Sequence, residues 1–170
     1  VSPLAATAGF RVYIIDDRPE FANAERFPEA EGIVVSDYNT GLEKVPVNRN
    51  TYIVIATRGH RYDDMALAAA VRTDAGYVGL LGSKRKTLEI YKSLLKENVP
   101  WKRIKEVHAP IGLNIGAVTP EELAVSIVAE IILVRRGGDG APMKMQTAYL
   151  GKLLRPTDSD RALTYQPGIP

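Results

Sequence analysis

The stretch that decides the fold is TYIVIATRGHRYDD (51–64), in which an apolar run passes through a glycine turn into a helical pattern. YVGLLGSKRK (77–86) repeats that order. A short β-branched run bounded by glycine and polar residues is typical of a buried strand. RVYIIDD (11–17) and GIVVSD (32–37) are runs of the same kind. Buried strands that alternate with helices predict an α/β fold with a parallel sheet.

Helical patterns lie before, between and after these strands. Residues 4–10 are predicted to be the end of a helix that Gly9 stops. Further helices are predicted at 61–73, 83–98 and 119–136. The last of them starts with a capping box and is apolar nearly all round, which predicts burial under its own sheet or at a subunit contact. The elements together predict a Rossmann-like, doubly wound, mostly parallel sheet with helices on both faces.

Composition narrows the class of protein. The chain has 170 residues, a formal net charge of +2 and no cysteine. So small a charge does not favour nucleic-acid binding, and no stretch reaches the ~20 apolar residues that span a bilayer. The lack of cysteine gives no sign of a disulfide framework or a thiolate metal site. We expect a cytoplasmic protein that binds neither nucleic acid nor a membrane, with one domain over 1–137 and an irregular tail or arm over 138–170.

Polar residues follow each predicted strand directly. The carboxyl ends of parallel strands meet at one edge of the sheet, where ligands of doubly wound folds collect. We therefore expect one crevice to contain Asp16, Arg58, His60, Ser83 and Arg85. The turn that supplies two of these residues reads TRGH, and it brings Thr57 and Gly59 to the same edge.

The roles of two of these residues stay open at this point. Asp16 ends a strand and could accept hydrogen bonds from a ribose, or it could form a local pair with Arg18. His60 could bind a ligand, act as an acid or base, or hold its loop in place. Because neither a second histidine nor a suitably spaced carboxylate accompanies it, no metal site is predicted.

Three cations, Lys84, Arg85 and Lys86, stand where a helix is predicted to begin, although a helix N-terminus favours anions. Gly79 and Gly82 would let backbone approach a ligand closely, and Ser83 could cap the helix. A phosphate bound among the free amides would explain the cations. The alternative is that the lysines only point into water, where screening removes most of the penalty.

A second glycine-containing loop, APIGLNIGAVTPEE (109–122), precedes the last predicted helix. Gly112 and Gly116 suggest backbone that lies close to another group. That group is either a ligand or a neighbouring part of the chain, in which case the loop is a structural turn.

Four segments in this order resemble the C-terminal domain of the XdhC/CoxI family: DDRPEFANAERFPEA (16–30), TRGHRYD (57–63), YVGLLGSKRK (77–86) and HAPIGLNIGAVTPEELAVSIVAEI (108–131). The similarity runs from about residue 4 to residue 137. Members of this family are accessory proteins of molybdenum hydroxylases such as xanthine dehydrogenase and carbon monoxide dehydrogenase.

The resemblance implies a Rossmann-like domain that binds molybdenum cofactor, helps its sulfuration and inserts it into a hydroxylase such as xanthine dehydrogenase. It implies a homo-oligomer with a binding function and without catalytic residues. The sulfur of the cofactor would come from another protein, such as a cysteine desulfurase. The residues expected to contact the cofactor are Asp16, Arg18, Thr57, Arg58, Gly59, His60, Gly79, Gly82, Ser83, Arg85 and Gly112.

The sequence departs from the family in two ways. Neither the separate N-terminal domain nor the first strand with its glycine-rich turn is recognisable, so we expect a fragment of a longer protein or a missing N-terminal piece. Because that turn cradles a pyrophosphate, NAD(P) binding becomes doubtful. Two alternative functions remain: an NAD(P)-dependent oxidoreductase or dinucleotide-binding domain, and a dimerisation module of a larger accessory protein.

Overall fold

The computed structural model describes residues 1–145 and 147–150, apart from the side chains of His60, Ala148 and Leu150. Residues 1–140 form one compact unit, and a second begins at Ala141. Most of the predicted tail over 138–170 lies outside the described residues, so its irregular character stays a prediction.

The strands form parallel pairs. They are β1 (Tyr13–Asp16), β2 (Gly32–Val35), β3 (Tyr52–Ile55) and β4 (Tyr77–Leu80). β1 pairs with β2, and β3 pairs with β4. A parallel bridge between Gly79 and His108 extends the second sheet by one short segment. The predicted parallel α/β fold is confirmed.

The helices are α1 (Ser2–Thr7), α2 (His60–Ala70), α3 (Lys84–Lys96), α4 (Trp101–Ile104), α5 (Pro120–Arg136) and α6 (Thr147–Leu150). The predicted capping box is present at the start of α5, and Gly137 ends that helix in the left-handed region at φ 70°. Sequence reasoning missed α4 and a 3₁₀ turn at Gly41–Lys44, because such short elements carry no periodicity.

Helices cover both faces of the β3–β4 sheet. On one face, Leu67 of α2 and Ile90 of α3 are buried in a cluster with Leu80. On the other face, Ile127 and Ile131 of α5 pack with Tyr77. The predicted burial of α5 under its own sheet is therefore confirmed for this side of the helix, and the doubly wound arrangement follows.

The sheet is divided. No ladder joins β1 to β3 among the described residues, which instead form two sheets of two strands. In the 3-2-1-4-5-6 order of dinucleotide-binding folds, β2, β1, β3 and β4 correspond to positions 3, 2, 4 and 5. Position 1, between β1 and β3, holds no strand in the part of the chain that is described, as expected for a sheet without its first strand.

Candidate functional site

The turns after β1 and β3 meet at the carboxyl edge of the two sheets. The guanidinium of Arg58 donates from Nη2 to Asp17 Oδ2 at 2.8 Å and to the Tyr62 hydroxyl at 2.9 Å. Its Cζ also lies 4.4 Å from the centre of the Tyr62 ring, a cation–π contact. The structure thus brings the first and third strand ends together, and an ion pair joins them.

Asp16 is held by its own turn. Arg18 donates from Nε and Nη2 to the two oxygens of Asp16 at 2.9 and 3.0 Å, and its backbone N–H donates to Oδ1 at 3.0 Å. These hydrogen bonds lower the pKa of Asp16 below its ordinary value. The Arg18 guanidinium lies 3.8 Å from the centre of the Phe21 ring. Of the two roles considered for Asp16, the structure shows the local pair with Arg18.

Tyr38 is a buried member of this edge that sequence reasoning missed. Its hydroxyl donates to Asp17 Oδ1 at 3.4 Å, and its ring makes an edge contact with Tyr62 at 5.6 Å. Burial, with the nearby Asp16 and Asp17 carboxylates, raises the pKa of Tyr38 to about 12, so the phenol remains a donor at neutral pH. Tyr62 was missed as well, although it lies in the first turn of α2 directly after the TRGH turn.

We call these six residues the carboxyl-edge cluster: Asp16, Asp17, Arg18, Tyr38, Arg58 and Tyr62. Its two carboxylates and two guanidinium groups balance in charge. The guanidinium groups and phenols can donate to carbonyl or phosphate oxygens, and the carboxylates can accept from ring N–H groups. The cluster therefore presents both donors and acceptors to a polar ligand.

A buried carboxylate holds the TRGH turn (57–60) in place. Asp63, with 1% of its side chain exposed, accepts from the Thr57 hydroxyl at 2.6 Å and pairs with Lys86. Gly59 has extended backbone at φ 165° and open space where a side chain would lie. His60 is the first residue of α2, and its predicted role falls on a side chain outside those described.

The start of α3 does not present three equivalent cations. Lys86 turns inward to Asp63, whereas Arg85 is exposed and lies 3.7 Å from Glu89. Lys84 is also exposed. The Ser83 hydroxyl accepts from the Lys86 N–H at 3.3 Å and thereby caps the helix.

The surface around this helix start is a shallow depression with a carboxylate in it. It is lined by Ser83, Arg85, Lys86 and Glu89. Gly82 leaves room there, since an added Cβ would lie 3.4 Å from the Lys86 side chain. None of these four residues lines the cavity beside Asp16, although Lys86 connects the depression to the TRGH turn through Asp63.

Two of the predicted glycines lie against protein. A Cβ on Gly79 would collide with Ile111, and one on Gly112 would lie 2.5 Å from Ser126 Oγ. Gly112 has φ 102°, and its N–H donates to the carboxylate of Glu130. The close approach expected at both positions is therefore made by neighbouring chain.

Neither a metal cluster nor a membrane-spanning helix is present in the described part of the chain. Its residues include no group of three or more His, Cys, Asp or Glu side chains placed to hold a metal ion. Within the same residues, no helix combines the length and apolar character needed to cross a bilayer.

Comparison with known proteins finds relatives that match most of this chain. An uncharacterized protein of Escherichia coli (strain K12), YqeB, is 31% identical over 144 residues, which are 84% of this chain and 26% of that protein. A protein of Bacillus subtilis (strain 168), described as a probable subunit of xanthine dehydrogenase, is 35% identical over 133 residues, 78% of this chain and 38% of the relative.

A crystal structure described as a xanthine dehydrogenase from Bacillus halodurans superposes with a TM-score of 0.69 at 31% identity, covering 80% of this chain and 40% of that one. The chain thus spans between about a quarter and two fifths of the length of these proteins. The family model of the XdhC Rossmann domain matches residues 1–131. With that match over most of its length, the chain belongs to the XdhC family.

Proposed function

We propose that this domain acts in an accessory protein that binds molybdenum cofactor for a xanthine dehydrogenase-type hydroxylase. Its support is the family, and the two relatives whose names contain xanthine dehydrogenase. The protein works in the cytoplasm as an oligomer, receives sulfur through a partner such as a cysteine desulfurase, and passes the cofactor to the hydroxylase.

The observation that carries this proposal is the contact of Arg58 with Asp17 and Tyr62 at the carboxyl edge. A pterin is a flat heteroaromatic ring with N–H donors and a carbonyl acceptor on its edge. Asp17 can accept from the ring N–H groups, Arg58 can donate to the carbonyl or to the phosphate, and the half-buried Tyr62 ring offers an aromatic surface. The donor set of the cluster therefore fits the organic part of the cofactor.

The cofactor itself supplies the molybdenum–sulfur chemistry that the client enzyme uses. This chain contributes binding and orientation: it has no cysteine to carry a persulfide, and the described residues offer no metal-ligand cluster. Because Arg58 is paired with Asp17 before any ligand arrives, a phosphate has to compete for the guanidinium. Dissolved ions screen the attraction between the phosphate and the guanidinium, so binding should weaken as the salt concentration rises.

NAD(P) is the alternative ligand, because Rossmann-like folds bind dinucleotides. Both oxygens of Asp16 already accept hydrogen bonds from Arg18, so a ribose would have to displace them. This pairing of Asp16 favours the pterin over the dinucleotide.

A binding titration tests the proposal. Molybdopterin extracted from a molybdoenzyme is titrated into the full chain under anoxic conditions, with pterin fluorescence as the signal, and NAD and NADP are titrated by calorimetry. Arg58→Ala should weaken molybdopterin binding at least about tenfold, the loss of one charge-assisted contact. Arg72→Ala is the matched control, since Arg72 pairs with Glu97 away from the cluster.

Equal affinity of the Arg58→Ala and Arg72→Ala variants would contradict the assignment of the site. Binding of NAD or NADP in preference to molybdopterin would contradict the assignment of the ligand.

A further inference from the structure

The side of α5 that faces away from the sheet has an unusual composition. Residues 123–134 include only two polar side chains, Ser126 and Glu130. Both bond inward, because the Ser126 hydroxyl donates to the Leu113 carbonyl at 2.6 Å and Glu130 accepts from the Gly112 N–H. The middle of α5 therefore turns no polar side chain outward, whereas a helix at a protein surface normally has charged or polar residues on that face.

Apolar side chains occupy the outward face instead. Val125 is 49% exposed and Ile132 is 39% exposed, with the half-buried Ala129 between them. Steps of four and three residues place the three side chains in one row along the helix. Single exposed apolar residues are normal, but a row that no polar side chain interrupts is typical of a contact surface. We call Val125, Ala129 and Ile132 the α5 stripe.

The solvent face of α3 shows the ordinary arrangement. Its exposed residues Leu88 and Leu95 are separated by the exposed Lys92, and the exposed Lys84 and Arg85 precede them. Exposed apolar residues on α3 are thus interspersed with charges, and the α5 stripe differs from them in having none.

Opposite charges lie at the two ends of the α5 stripe. Glu121 is exposed at its N-terminal end and Arg136 at its C-terminal end, roughly 22 Å apart along the helix axis. Within the described residues, neither side chain takes part in an ion pair. The helix dipole explains the sign of each charge. It does not explain the uncharged apolar stripe between them.

An acidic end, an apolar centre and a basic end make a surface that is complementary to itself. A twofold dimer brings the same patch of two subunits together. When two α5 helices pack antiparallel about an axis near Ala129, Val125 of one lies beside Ile132 of the other. Glu121 of each then lies beside Arg136 of the second copy. The small side chain of Ala129 lets the two helices approach closely at the centre.

We propose that the α5 stripe binds the α5 stripe of a second copy of this chain, antiparallel, in a twofold dimer. The apolar residues are buried at the centre, and two Glu121–Arg136 ion pairs close the ends. One helix pair of this length covers an area at the low end of specific interfaces, so we expect a dissociation constant on the order of micromolar.

The dimer rests on the oligomer that belongs to the proposed function and gives it an interface. α5 contributes no residue to the carboxyl-edge cluster, so the dimer does not depend on the cofactor. The test below measures mass, whereas the titration above measures ligand binding, and either proposal can therefore fail without the other.

Sedimentation of the full chain at about 5–200 μM, which brackets micromolar affinity, measures the dimer. Arg136→Glu places like charges at both ends of the interface and should weaken the dimer at least about tenfold, and Glu121→Arg should do the same. The double variant Glu121→Arg, Arg136→Glu has opposite charges again. Its dissociation constant should return to within about threefold of that of the unchanged chain.

A carboxylate at the centre of the interface provides a second variant. Ile132→Glu should leave the chain monomeric up to about 200 μM, because the dimer would bury an unpaired charge. Leu88→Glu is the matched control, since Leu88 is 60% exposed on α3, and it should dimerise like the unchanged chain. Both variants should melt within about 5 °C of the unchanged chain by circular dichroism, which shows that they are folded.

Introduced thiols report the direction of pairing, because the chain has no cysteine of its own. A mixture of Val125→Cys and Ile132→Cys chains is oxidised mildly. The mixed disulfide should form in preference to either symmetric one, since only antiparallel helices bring positions 125 and 132 together.

A monomer throughout the concentration range would overturn the proposal. A double charge variant that dimerises no more tightly than the two single variants would do so as well, because the ion pairs would then have no part in the contact. Equal losses for Leu88→Glu and Ile132→Glu would place the contact elsewhere. Preferential linking of two identical cysteine variants would show that the helices do not pack antiparallel.

Discussion

Replacing Lys86 with methionine should destabilise the chain far more than the same change at Lys84. Both lysines stand in the first turn of α3, but Lys86 pairs with Asp63, whereas Lys84 is exposed. In Lys86→Met, Asp63 stays buried with the Thr57 hydroxyl as its remaining side-chain donor. Removing one partner of a buried ion pair costs about 3–5 kcal/mol.

The lower end of that range applies, because 19% of the Lys86 side chain is exposed and water reaches the site. We therefore expect a loss of about 3 kcal/mol for Lys86→Met. Lys84→Met should change stability by less than about 0.5 kcal/mol, with a gain favoured because a cation opposes the helix dipole there.

Urea unfolding at neutral pH, followed by circular dichroism, measures both variants. With a slope of about 1.5–2 kcal/mol/M, the midpoint of Lys86→Met should fall by roughly 1.5–2 M, at unchanged slope. The double variant Asp63→Asn, Lys86→Met should recover at least half of the loss, because it removes the unpaired charge. If the unfolding midpoints of Lys86→Met and Lys84→Met lie within roughly 0.5 M of each other, a difference of about 1 kcal/mol or less, Lys86 does not hold the turn that carries Arg58.

Three further predictions concern single positions. Because Arg18 holds the pKa of Asp16 below its ordinary value, the stability from this pair is complete above about pH 4 and is lost as pH falls through the folded-state pKa. Asp16→Asn should reduce the loss of unfolding free energy at acid pH, measured by urea unfolding at several pH values. An unchanged dependence on pH would refute the pair. Glu130→Ala should cost about 3 kcal/mol, since the carboxylate accepts from Gly112 N–H and contacts a buried phenol and an imidazole, and thermal unfolding measures it. Gly112→Ala should lower the melting temperature more than Gly116→Ala, because both have positive φ but only the first meets a neighbour, and equal losses would contradict this.

Part of the candidate site could be predicted without a structure. Strand ends in a parallel sheet share one edge, so the pattern of polar residues after apolar runs was enough to expect Asp16 and Arg58 near each other. Tyr38 was missed although it follows the run GIVVSD (32–37) directly, because the sequence does not show that its ring is buried and that its hydroxyl reaches Asp17. The sequence also does not show that the Lys86 side chain turns inward to Asp63, because no local feature distinguishes it from the two cations before it.

What the sequence determined by itself is local: apolar runs that form buried strands, caps that start and end helices, and the α/β alternation that makes the sheet parallel. These features depend on backbone conformation and on residues within about four positions of each other. The tertiary structure alone decided which charges are paired, which glycines lie against protein, and that a cavity lies between β1 and β3. Those outcomes depend on contacts between residues far apart in the chain, whose geometry exists only after the helices and strands have packed.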